Sequence, residues 1–67
     1  MSKILDKEIL KENLYNYYIE HYGERSTDEW LDCPAVNAWI FIRDGKRIML
    51  NCHILTGVVK ESVRDIE

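Results

Sequence analysis

The sequence predicts an α+β fold, an N-terminal amphipathic helix packed on a small antiparallel sheet, within a single domain spanning residues 1–67. Two observations carry that prediction. Apolar residues recur at helical spacing from Leu10 to Tyr22, and two β-rich runs flank the dipeptide Asp44-Gly45. Length supplies the third constraint, because 67 residues suffice for one core only.

The helix comes first. Asp6 stands where an N-cap belongs, Glu8 lies in the first turn, and Gly23 sits where a left-handed residue ends a helix. Leu10, Leu14, Tyr17, Tyr18 and Tyr22 share one side, while Glu8, Glu12, Asn13, Asn16 and Glu20 share the other. Next, Ser26-Thr27-Asp28-Glu29 has the form of a capping box and leads into Trp30-Leu31. Pro34 disfavours helical geometry at Cys33. A short helical turn is therefore expected here, with Trp30 and Leu31 plugging one end of the core.

The hairpin covers residues 36–55. Asp-Gly suits a two-residue turn in which both central positions need positive φ. That turn sets the register: Phe41 faces Ile48, Trp39 faces Leu50 and Asn37 faces Cys52. The aromatic side of the pleat should take the helix. The other side carries Val36, Ala38, Ile40, Ile42 and Met49, too apolar a surface to leave to water. The tail, residues 54–67, reads either as a third strand after a Thr56-Gly57 turn or as a short helix. The β-branched content and the glycine favour the strand, with Val59 opposite Ile54 and Val63 opposite Leu50.

Composition narrows function. Apolar residues make up 46% and charged residues 31%, the balance of a globular chain rather than a disordered one. A net charge of −3 lacks the broad basic footprint of a nucleic-acid binder. The longest apolar run, Ala38 to Ile42, is far too short for a membrane span, and Met1-Ser2-Lys3 opens directly into a polar helix. A cytoplasmic protein with reduced cysteines is expected. A chain of this size buries only roughly 60% of its unfolded surface, so association is a natural way to complete its core.

Site chemistry is sparse. His21, Cys33, Cys52 and His53 match a zinc site in number but not in spacing, and neighbours on a strand point to opposite faces. The same geometry keeps His53 from serving Cys52 as a base. A Cys33–Cys52 disulfide would have to close roughly 13 Å of extended chain, where bridging needs Cα atoms within about 7 Å. Both cysteines are therefore expected to be free. No phosphate loop, nucleophile elbow or paired-histidine motif occurs, so neither an enzyme activity nor a cofactor is expected. Lys3, Lys7 and Lys11 run into Tyr15, Tyr18 and Tyr22 at helical spacing, read as lysine stems paving the rim of the tyrosine face.

The order helix, short helix, hairpin and amphipathic tail resembles the winged-helix excisionases of mobile elements. The stretch from Trp39 to Ile48 carries the likeness, which covers about half of the chain. It implies a DNA-binding accessory factor with Arg43, Lys46 and Arg47 on a wing. The segment in the recognition-helix position, Ser26 to Glu29, is acidic where phosphates would have to be met. The reading preferred from the residues themselves is a small non-catalytic interaction module: an adaptor, inhibitor or regulator of the kind found in phage and mobile elements. It would bind a protein partner, or a second copy of itself, through Ile40, Ile42 and Met49.

Overall fold

Backbone positions 6 to 23 behave as their residue types dictate. A computed structural model, which describes residues 4–32 and 35–66, places helix α1 at Lys7–His21. The Asp6 carbonyl accepts the first bonds, from the N–H groups of Ile9 and Leu10 at 3.0 Å each, although its side chain caps nothing. Beyond the helix, Gly23 adopts φ 71°, and its N–H donates to the Tyr18 carbonyl at 3.0 Å. Leu10, Leu14 and Tyr18 are buried and Tyr17 and Tyr22 pack against them, so the expected face is the core face.

Four strands follow: β1 (Glu29–Leu31), β2 (Ala38–Arg43), β3 (Lys46–Cys52) and β4 (Val59–Asp65). They form one antiparallel sheet in the order β1-β2-β3-β4. Between β2 and β3, Asp44 (φ 53°) and Gly45 (φ 74°) both take the positive φ of a primed turn. Trp39 faces Leu50 and Phe41 faces Ile48, as the turn predicts. Asn37 extends this pairing past the strand, its carbonyl accepting from Cys52 N–H at 2.7 Å and its amide donating to the Cys52 carbonyl at 3.0 Å.

Two expectations need correction. Residues 26–31 do not form a helical turn. Asp28, which would sit in the first helical turn, has its carboxylate drawn off by Arg43 and Tyr18, and Glu29–Leu31 pair along the β2 edge instead. The recognition-helix position of the excisionase likeness, Ser26 to Glu29, is therefore a turn that leads into β1. The tail is the third strand of the expected meander, but its register differs by two residues: Val63 faces Ile48 and Val59 faces Cys52. The connection is wider than a Thr56-Gly57 turn, closing where His53 N–H donates to the Val58 carbonyl and Gly57 N–H to the His53 carbonyl, both at 2.8 Å. An even shift preserves the faces, so Val59 and Val63 still point toward the helix. Lys3, Cys33 and Pro34 lie outside the described residues.

The core lies between α1 and one face of the sheet. Leu10, Leu14 and Tyr18 meet Phe41, Ile48, Leu50 and Cys52, none more than 4% exposed. Burying each large aliphatic or aromatic side chain here contributes about 2 kcal/mol. The helix lies over β3 and β4. It leaves the β1–β2 half of its own face only partly covered and the opposite face of the sheet with no helix at all among the described residues.

Candidate functional site

That opposite face is built by strand alternation. Across it run the row Leu31, Ile40, Met49, Ser62 and the row Glu29, Ile42, Arg47, Arg64, each set by direct cross-strand partnership. Ile40, Ile42 and Met49 are thus side by side, as their alternation requires. Their exposures differ: Ile40 is only 8% exposed, while Met49 is 37% exposed and Ile42 is half-buried. The accessible apolar surface is consequently centred on Ile42 and Met49, with Leu31 half-buried beside Ile40. Beside Met49 a cleft of about 180 Å³ opens between Arg47, Ser62 and Arg64.

The three cations at the hairpin tip do not share one face of the sheet. Arg43 and Lys46 are cross-strand partners on the helix side, whereas Arg47 projects from the open face. Arg43 is also committed elsewhere. Its side chain is 9% exposed and pairs at 2.5 Å with the fully buried Asp28 carboxylate. Its other donors reach the Tyr22 and Gly23 carbonyls, both at 2.6 Å, so the guanidinium caps the orphan carbonyls at the end of α1. The Tyr18 hydroxyl donates to Asp28 at 2.5 Å and accepts from Arg25 N–H at 3.2 Å. The Arg43 hydrogen bonds hold the Asp28 carboxyl below its usual range against the cost of burial, and burial followed by the Asp28 bond pushes the Tyr18 hydroxyl up. Arg43 is thus engaged within the fold, and Lys46 and Arg47 point to opposite faces of the hairpin tip. Nothing in the sequence pairs Arg43 with Asp28, since their contact depends on the β1–β2 register that the capping-box reading hid.

The remaining chemical groups also find structural partners. Cys52 is free and fully buried, and desolvation raises its thiol pKa, the reverse of what a nucleophile needs. His53 Nδ1 accepts from Leu55 and Thr56 N–H at 3.1 and 3.3 Å, which shapes the β3–β4 connection. Among the described residues, no group of three or more His, Cys, Asp or Glu side chains is placed to hold a metal ion.

A second recess lies where α1 leaves the sheet uncovered. Tyr15, Tyr18, Glu24, Arg25, Trp30 and Trp39 line a hollow of about 380 Å³. Trp30 and Trp39 meet nearly edge to face, with centroids 5.5 Å apart, and Trp30 is 45% exposed. Sequence reasoning missed this hollow because it took Trp30 for a core plug. Lys7 and Lys11 flank Trp39 on the helix side, in the rim position expected of them.

No protein-family model, curated protein or solved structure shows a significant match to this chain. What the fold defines is a class: a helix-backed antiparallel meander with one helix-free face. No helix of the described residues is long and apolar enough to cross a membrane.

Proposed function

We propose that this chain is a small non-catalytic protein-binding module whose contact surface is the open face of the sheet. The observation that supports it is the clustering of Ile42, Met49 and the half-buried Leu31 around Ile40 on a face that no helix of the described residues covers. Apolar side chains gathered on one exposed sheet face are what a partner would desolvate. The partner is a protein, either a second copy or a different chain, and the module acts by occupying it, as an adaptor, inhibitor or regulator does. The described residues of this face are for the most part apolar and cationic side chains, a set suited to binding.

Affinity capture from the source cell, with wild type and Met49→Glu as baits, tests the reading. Met49 is exposed enough that the change should leave the thermal midpoint within a few degrees of wild type. Proteins retained by wild type and lost by Met49→Glu are the expected result. Identical retention by both baits would remove the open face from the account. Sedimentation of both forms separates self-association from capture of another chain.

A further inference from the structure

We infer that the cleft between Arg47 and Arg64 is a carboxylate-binding site, and that the partner docking on the open face is an acidic protein segment carrying aliphatic side chains. This rests on the proposed protein-binding role and names the chemistry of its partner. Arg47 and Arg64 are direct cross-strand partners on β3 and β4. Such partners have Cβ atoms about 5 Å apart, and like charges in that position repel. Among the described residues, ion pairs within 4.0 Å link Arg25 with Asp44, Arg43 with Asp28 and Lys46 with Asp65, and neither Arg47 nor Arg64 belongs to one. The acid of this face, Glu29, lies beyond Ile42, two strands from Arg47 and so about 10 Å away.

Two guanidinium forks facing one cleft are suited to an oxyanion, which each can hold through paired N–H bonds. Ser62 adds a hydroxyl to the same cleft, and Lys60 extends the positive surface along β4. The open face thus carries Arg47, Lys60 and Arg64 against Glu29 alone, on a molecule whose net charge is −3. A second copy stacked on this face would bring the same three cations to meet them. The occupant is therefore a different chain. It is a peptide rather than a nucleic acid because Ile42 and Met49 border the arginines, and none of the open-face positions holds an aromatic ring on which bases could stack.

The test uses backbone amide chemical shifts of the full chain titrated with three probes. These are a capped peptide alternating glutamate and leucine, its glutamine–leucine counterpart, and a short oligothymidylate. The glutamate peptide should shift the Arg47, Met49, Ser62 and Arg64 amides and weaken as salt rises. The double variant Arg47→Ser/Arg64→Ser should bind it at least tenfold more weakly. Its thermal midpoint should be equal to or above that of wild type, because a repulsive pair has been removed. A lowered midpoint would mean that the arginines are structural and would overturn the site. Equal binding of the glutamate peptide by wild type and double variant, or tighter binding of oligothymidylate, would also overturn it. If the glutamine peptide binds as tightly and that binding is lost in Met49→Glu, the face docks proteins without an anion site. If no peptide perturbs the face, the protein-binding reading falls along with the site.

Discussion

Asp28 has no water to solvate it, so its charge is tolerable only because Arg43 and Tyr18 supply donors, at 2.5 Å in each case. Breaking a buried pair by neutralising one partner leaves the other charge uncompensated, which costs about 3 kcal/mol or more. Asp28→Asn should lower stability to denaturant by that amount. The pH dependence has a definite sign. The folded pKa lies below the unfolded value. The stabilisation is therefore complete above about pH 5 and disappears as pH falls through the folded pKa. Asp28→Asn lacks this titration, so its acid limb should be the flatter of the two in urea melts taken across the acid range. Equal slopes would mean that Asp28 is not held as described. At Gly57 (φ 78°), a Cβ would stand 2.8 Å from Asn13 Nδ2, the atom that donates to the Gly57 carbonyl at 3.1 Å. Asn13 cannot retreat without losing that bond. Gly57→Ala should thus cost more than about 1 kcal/mol, since backbone strain and a lost tether add.

At the scale of elements, Gly45→Val should also cost more than about 1 kcal/mol, because a β-branched residue resists the positive φ on which the β2–β3 turn depends. Thermal melts check this, and an unchanged midpoint would show that the turn tolerates another geometry. The hairpin was legible because Asp44-Gly45 determines conformation and register locally. Helix α1 was legible for a similar reason, since Leu10, Leu14 and Tyr18 carry their periodicity within the segment itself. The structure departs from local rules where distant groups decide. Ser26 to Glu29 has helix-capping chemistry, yet Asp28 gains more from Arg43, fifteen residues away in sequence, than from an N-terminal turn. The β4 register was set by His53 folding its connection around Nδ1, a device that local turn rules do not describe. Of the candidate site, alternation gave the neighbourhood of Ile40, Ile42 and Met49. The Arg47–Arg64 pairing emerges only once the β3–β4 register is known.

For the whole molecule, the remaining question is how a four-strand sheet with a free β4 edge avoids extending itself through a second copy. A two-fold axis normal to the sheet keeps both helices on one side and must be centred on a residue, because outward-pointing backbone groups belong to alternate positions. Centring on Lys60, Glu61, Arg64 or Asp65 sets that side chain against its own copy. Centring on Ser62 opposes Lys60 to Arg64, and centring on Val63 opposes Glu61 to Asp65. Every register centred from Lys60 to Asp65 therefore places like charges directly opposite, the kind of guard that natural edge strands use. Tyr17 and Tyr22 reinforce it by donating their hydroxyls to Glu61, which keeps that carboxylate in place beside the edge. Wild type should accordingly sediment as a monomer at micromolar concentration. Lys60→Glu converts the Ser62-centred register from two repulsive pairs to two attractive ones. That is a swing of about 2 kcal/mol over the interface, or roughly thirtyfold in the dissociation constant. Sedimentation of Lys60→Glu should show association that wild type lacks and that salt suppresses. A Lys60→Glu form no more associated than wild type would mean that these charges do not govern the edge.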